Sequence, residues 1–285
     1  MIIENQYLKL KFKTQGSEWT SFFDKQKNLE YAWQGDEQYW AGRNPTLFPI
    51  VGKLWQEKYL HQGKTYSLGN HGFARHSNFA LEDISEHQIV MSLTANEVTK
   101  QSYPFDFKLT NHYWLQHKTL HIAKKVINTG ADDLPFSLGA HPAFNCPWRK
   151  NDQFEDYKII FAQKEKLKRL FLNPDSSFSK ERIDFGFMKE LPLKRELFAY
   201  DALVFENLKS NWIRLQGKSE GITLYFNQSP WFGIWTKPTA PFICLEPWQG
   251  HGDFTDYQGE FTAREGTIIL PPETSYEFYY QISID

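Results

Sequence analysis

The sequence predicts an all-β protein, a large antiparallel β-sandwich with few short helices. Three observations lead there. Apolar residues recur at period two, turn residues punctuate the alternating runs, and aromatics are in excess, with 24 Phe, 14 Tyr and 10 Trp making 17% of the chain. Aromatic and β-branched side chains suit a pleated, half-buried surface. Residues 8–13 alternate Leu8, Leu10 and Phe12 with lysines, the pattern of a strand buried on one face. Residues 89–93, 120–126, 222–226 and 276–284 read the same way. Between such runs lie Gln62-Gly63-Lys64, Asn128-Thr129-Gly130, Asn173-Pro174-Asp175 and Gln216-Gly217, all turn signals. Short strands spaced this way predict a sandwich rather than βαβ units.

Helical signal is sparse. Residues 94–102 allow a turn or two, stopped by Pro104, and residues 164–170 are ambiguous. The polar stretch 173–194 predicts a long loop or excursion. With no Gly/Ser linker, low-complexity tract or internal repeat, residues 1–285 are expected to form a single domain, a size that large sandwiches reach as one unit.

Composition narrows the function classes. Hydrophobic residues at 41% supply a core, and a formal net charge of -2 gives no electrostatic reason to expect nucleic acid or an acidic membrane as partner. The basic run 164–169 is interleaved with Glu165 and reads as a solvated face. Cys146 and Cys244 are too few for a disulfide framework and lack metal-site spacing, which suits free thiols in a reducing compartment. The N-terminus lacks a basic then apolar leader pattern, and no apolar run approaches the ~20 residues of a membrane helix. These features predict a soluble cytoplasmic protein, monomer or homodimer.

Chemistry concentrates in a few segments. Glu246 ends the apolar run Ala240-Pro241-Phe242-Ile243-Cys244-Leu245, where a carboxylate is costly to desolvate. His71 stands in Asn70-His71-Gly72-Phe73-Ala74-Arg75 and His141 in Gly139-Ala140-His141-Pro142-Ala143-Phe144-Asn145. A buried carboxylate facing imidazoles can move protons both ways near neutral pH, and the surrounding aromatics suit the C–H faces of a sugar. Each residue also has a plainer reading. Glu246 fits a surface position at a strand end, Asp201 an exposed turn, and Arg75 a surface ion pair. Trp248 and Trp231 fit a core, and His61, His76, His87, His112, His117, His121 and His251 fit ordinary structural positions. Dinucleotide, Walker-type, zinc-hydrolase and nucleophile-elbow motifs are absent from the sequence.

Five segments taken together resemble the aldose 1-epimerase (galactose mutarotase) family, and more closely its divergent mutarotase-like branch from Gram-positive bacteria. They are Asn70-His71-Gly72-Phe73-Ala74-Arg75, Tyr103-Pro104-Phe105-Asp106-Phe107, Gly139-Ala140-His141-Pro142-Ala143-Phe144-Asn145, Tyr200-Asp201-Ala202-Leu203-Val204-Phe205 and Cys244-Leu245-Glu246-Pro247-Trp248, in the family's order. The resemblance implies a mostly antiparallel sandwich with an open cleft and interconversion of α and β anomers of a free aldose. It implies Glu246 as general base and His141 as general acid. It also implies His71 near the ring oxygen, Asp201 on sugar hydroxyls, and sugar contacts from Arg43, Arg75 and Trp248. The implied reaction uses no metal and no cofactor, and its partner is a monosaccharide. Pro142-Ala143 and Pro247-Trp248 depart from the main branch, which bears on the pocket wall. Two other readings remain open here. One is a hexose-6-phosphate mutarotase using Arg43, Lys53, Arg75 and His76 for charge. The other is a non-catalytic carbohydrate-binding or sensor protein; glycoside hydrolysis by Glu246 with Asp201 is a further option.

Overall fold

The structure is a computed structural model that describes residues 1–227 and 229–285. Leu8–Phe12, Gln88–Thr94, Thr119–Asn128, Gly221–Tyr225 and Ser275–Ile284 are strands, as the alternation predicts. A large antiparallel sheet of fifteen strands carries most of the chain, and a four-stranded sheet from residues 2–30 lies beside it. The two pack face to face through alternating apolar side chains: Leu8, Leu10, Phe12 and Trp19 from the small sheet meet a core that includes Met91, Leu109 and Tyr113. Phe12 and Tyr113 have ring centroids 4.9 Å apart, within the range of favourable aromatic pairs. Among the described residues, no helix is long and apolar enough to cross a membrane.

Among the described residues the α-helical stretch is one segment, Glu97–Ser102, whose N-terminus is closed by Asn96 accepting from the backbone N–H groups of Val98 and Thr99. Two expectations are corrected. Residues 173–194 are not a loop: Phe178–Pro192 forms a 15-residue strand paired along Lys158–Leu172. Among the described strands it pairs with that one only, apart from a bridge of Phe178 to Phe254, so it is an edge strand, and Phe178 and Leu191 are its buried members. An edge strand carries charge rather than an apolar face, which is why its sequence looks like a loop. Nor is the run 164–169 simply a solvated face. Lys164, Lys166 and Lys168 are exposed, whereas Glu165, Leu167 and Arg169 point inward.

The centre of the large sheet positions the chemistry. Phe242–Gln249 is buried at every residue. On one side it pairs with Trp231–Trp235, setting Glu246 opposite Gly233. On the other side it meets two short strands, Leu138–Ala140 and Ala143–Asn145, in succession. The break between them is His141-Pro142, and the Leu245 N–H donates to the Pro142 carbonyl at 3.0 Å. Register alone therefore brings His141 beside Glu246, though they are far apart in the chain.

Candidate active site

A cavity of about 290 Å³ opens over this strand, near the lower end of the usual range for small-molecule sites. Its lining includes His71, Arg75, His141, Asp201, Glu246 and Trp248. Of the residues that the resemblance implies as catalytic or sugar-binding, Arg43 is the exception. Its guanidinium turns back to the carbonyl oxygens of Gln34, at 2.5 Å, and Ala41, at 3.5 Å. Its backbone N–H donates to Glu18. These partners hold the side chain away from the cavity, and the expected sugar contact is withdrawn.

His141 Nε2 stands 3.2 Å from Glu246 Oε2, with both side chains buried. Glu246 Oε2 is buried without a hydrogen-bond partner among the described residues. Burial pushes the Glu246 carboxyl well above the usual carboxylate range, and the nearby charge of Asp201 adds to the effect. Burial pushes His141 down to about 3, assisted by the positive charge of Arg75. Both groups are thus biased towards their neutral forms, and the pair holds one proton between them over a wide pH range.

His71 is tied to the backbone. Its Nδ1 accepts from the Gly52 N–H at 3.0 Å, which leaves Nε2 to carry the proton of the neutral ring. Burial depresses its pKa well below the ordinary value, with His141 and Arg75 adding to the shift. Its ring lies edge-on to His141, with centroids 5.5 Å apart. His71 and Gly72 both adopt left-handed backbone, with φ of 63° and 69°. At Gly72 a Cβ would sit 2.4 Å from the Phe48 carbonyl oxygen. Gly72→Ala is expected to cost on the order of 2 kcal/mol and to raise KM by displacing His71; urea unfolding and steady-state kinetics measure the two effects.

Asp201 also has positive φ, 64°, a conformation that costs a non-glycine residue roughly 1–2 kcal/mol. Its turn is held from beneath by Arg169, which is 3% exposed. One Arg169 nitrogen, Nη2, donates to the carbonyl oxygens of Tyr200, Asp201 and Ala202. Asp201 Oδ1 accepts from the Ala202 N–H at 2.8 Å. The buried guanidinium thereby fixes the turn that presents the Asp201 carboxylate to the cavity.

Trp248 lies over two glycines. A Cβ on Gly139 would meet its ring at 2.9 Å and one on Gly233 at 3.0 Å, so both residues must be small for the indole to lie flat. Trp248 lines the cavity but is only 4% exposed. Trp231 does not line the cavity; it packs edge-on to His251, with centroids 4.8 Å apart. Two tryptophans that the sequence did not single out shape the wall instead. Trp40 stacks on His141 at 4.8 Å and 30°, and Trp235 meets the same imidazole edge-on at 5.6 Å. Lys53, one of the residues considered for charge, and Asn70, from the His71 segment, also line the cavity, as do Ser176 and Lys237, which the sequence did not single out. The adjacency of Trp40 to Ala41-Gly42 was the available signal, since a Cβ on Gly42 would meet the Trp40 ring at 2.4 Å.

The shifted groups predict the pH dependence of stability. His71 and His141 are depressed below 6.5, so the stability they confer is present above pH 6.5. It is lost as pH falls towards about 3 for His141. Glu246 is shifted the other way. Above pH 4.5 the unfolded chain releases its proton and the folded chain keeps it, so stability declines with rising pH until the raised value is passed. Each group contributes a slope of up to ~1.4 kcal/mol per pH unit. Glu246→Gln is therefore expected to unfold at higher urea than the parent at pH 8, the gap closing towards pH 4.5; an equal gap at both pH values contradicts the burial argument.

The fold recurs among known proteins. The profile of the family described as aldose 1-epimerase matches residues 1–283. The chain is 33% identical over 290 residues to the chromosomal LacX protein of Lactococcus lactis subsp. lactis, covering 97% of each chain. Its structure superposes on a galactose mutarotase related enzyme from Lactobacillus acidophilus with TM-score 0.96 at 29% identity, covering 100% of this chain and 97% of that one. A galactose mutarotase-like protein from Lactobacillus casei gives TM-score 0.94 at 28% identity, covering 100% and 99%. With a whole-length profile match joined to a shared fold, the chain belongs to the aldose 1-epimerase family.

Proposed function

We propose that the protein is a mutarotase, interconverting the α and β anomers of a free hexose by acid–base ring opening and reclosure. The observation that carries this reading is the 3.2 Å approach of His141 to Glu246 within a cavity sized for a small molecule. Moving the shared proton from Glu246 to His141 creates a carboxylate and an imidazolium without changing the charge of the pair. Glu246 then takes the proton of the anomeric hydroxyl as His141 delivers one to the ring oxygen. The C1–O5 bond breaks to give the open aldehyde, the C1–C2 bond rotates, and the aldehyde recloses with the two residues exchanging roles. His71, with its proton on Nε2, donates near the ring oxygen. Asp201, an acceptor, takes hydrogen bonds from sugar hydroxyls. Arg75 and Trp248 complete the binding surface, with Trp40 and Trp235 holding the His141 ring in place.

A binding or sensor protein would have no use for a desolvated carboxyl beside a desolvated imidazole, which favours the catalytic reading. Free, buried Cys146 and Cys244 support a reducing, cytoplasmic setting. The test is exchange NMR or polarimetry on fresh α-glucose and α-galactose, with the enzyme-free rate subtracted. Acceleration that scales with protein concentration is expected; its absence for aldoses of every charge tested overturns the proposal.

A further inference from the structure

Cys244 has no part in the reaction above, yet it faces the reacting pair. Side chains two apart on a strand share a face, so Cys244 and Glu246 point the same way from Phe242–Gln249. Ala143 pairs with Cys244 from the neighbouring strand, and His141 lies two residues before it. Cys244 packs with Trp40 and Trp235, the two tryptophans that hold the His141 ring. The Cys244 sulfur, an imidazole nitrogen of His141 and a carboxylate oxygen of Glu246 consequently lie within 4.8 Å of one another. Among the described residues, this is the one set of three His, Cys, Asp or Glu side chains so placed. All three residues are buried. Glu246 Oε2 and His141 Nδ1 have no hydrogen-bond partner among the described residues, and buried polar atoms without a protein partner are those that an ion or a substrate completes. Cys146, the second free thiol, belongs to no such set.

A thiolate, an imidazole and a carboxylate, with a fourth direction open to a cavity, are the donor set of a zinc site that keeps one exchangeable position. Ligand atoms around one tetrahedral Zn²⁺ stand about 3.3–3.7 Å apart. The 3.2 Å between His141 Nε2 and Glu246 Oε2 is already close to that, and the widest side of the triangle has to close by about 1 Å. The register that aligns the pair for proton exchange therefore also aligns a ligand set, which the spacing of the cysteines along the chain conceals. We infer that Cys244, His141 and Glu246 bind one thiophilic divalent cation, of which Zn²⁺ is the type, and that the bound ion stops mutarotation by taking the place of the shared proton. The inhibition rests on the mutarotase reading above; the binding does not. His141 and Glu246 line the cavity and give the ion its way in. The exchange balances in charge. The Cys244 thiol releases one proton and the His141–Glu246 pair the other, and the dication stays with a thiolate, a carboxylate and a neutral imidazole. With both residues tied to the ion, neither can take the anomeric proton or return it. Mg²⁺ and Ca²⁺ prefer oxygen donors, so the same chemistry rejects them.

The experiment titrates chelator-dialysed protein with CdCl₂, read by the cadmium–thiolate charge-transfer absorption, and with ZnCl₂, read by calorimetry and by anomer exchange of glucose. One equivalent per chain is expected, with zinc binding and inhibition saturating together. Cys244→Ala is expected to keep most of the parent rate and to weaken binding of both metals by about 100-fold or more. Cys146→Ala should change neither. His141→Asn and Glu246→Gln should each weaken the cadmium titration, a readout that needs no turnover. MgCl₂ should leave the rate as it is. Binding without the charge-transfer band, zinc inhibition as strong in Cys244→Ala as in the parent, or acceleration by zinc overturns the proposal. Cys244→Ser, which keeps the volume of the side chain, gives the same decision where the alanine variant does not fold. Cadmium bound through Cys244 by a protein that accelerates no aldose supports the metal site and sinks the mutarotase reading instead.

Discussion

Replacing Glu246 with Gln is expected to lower catalysed anomer interconversion by roughly 10²–10⁴-fold, the usual contribution of a positioned acid or base. Glutamine keeps the shape of the side chain and its place opposite Gly233 but cannot accept the anomeric proton. His141→Asn is expected to lose a similar factor, because it removes the imidazole that stands 3.2 Å from Glu246 Oε2. The double variant should lose little more than either single one, since the two residues exchange one proton and act as a unit. Parent kcat should be flat through neutral pH. Activity requires one proton on the pair, a state bounded below by His141 at about 3 and above by the raised value of Glu246. The alkaline limb belongs to the pair and should vanish from the residual activity of Glu246→Gln. Exchange NMR followed from acid to alkaline pH measures the rates and shows whether the limb is present. Rates like the parent's in both single variants would end the role assignment. Because the same substitution is expected to stabilise the fold at pH 8, lost activity with a raised unfolding midpoint separates chemistry from misfolding.

The fold was legible wherever a strand has one buried and one wet face. Leu8–Phe12 announces itself because each apolar residue alternates with a polar one, and Thr119–Asn128 because Leu120, Ile122 and Val126 fall on one face. Phe178–Pro192 stayed hidden because it pairs on one side only, so its composition carries no buried stripe. At the site, His141 and Glu246 could be singled out as polar groups in apolar runs. Their separation could not be read, since it depends on the break between two short strands facing Phe242–Gln249. Arg43 shows the opposite limit. Its place in the chain suggested the cavity, but a long side chain follows local acceptors, and the Gln34 carbonyl captured it. Trp40, Trp235 and Lys237 left no periodic trace because they enter the cavity from loops or a strand end. Arg169 was hidden in a lysine-rich run although it is the member that turns inward to fix the Asp201 turn.

A second large effect is expected far from the reacting atoms. Arg264 Nε donates to Asp253 Oδ1 at 2.5 Å, and the two side chains are 2% and 3% exposed. Asp253 in turn ties down the loop that carries His71's backbone partner. Its Oδ2 accepts from the Trp55 N–H, and its own N–H donates to the Lys53 carbonyl. One residue before Lys53, Gly52 donates to His71 Nδ1. Gly52 lies so close to Gly252 that a Cβ would meet its nitrogen at 2.5 Å. Arg264→Met removes the guanidinium that lies over Phe261 and strands a carboxylate in the interior, which costs about 3–5 kcal/mol. Breaking a pair and replacing a pair differ in energy, so the Asp253→Asn/Arg264→Met double variant should recover most of that loss. His71 should feel the change through the loop, with kcat/KM falling in Arg264→Met and recovering in part in the double variant. Urea denaturation of the three variants decides the matter. A single variant within 1 kcal/mol of the parent (a small fraction of the expected ~3–5), or a double variant no better than the single, would show that the ion pair does not hold this corner of the cavity.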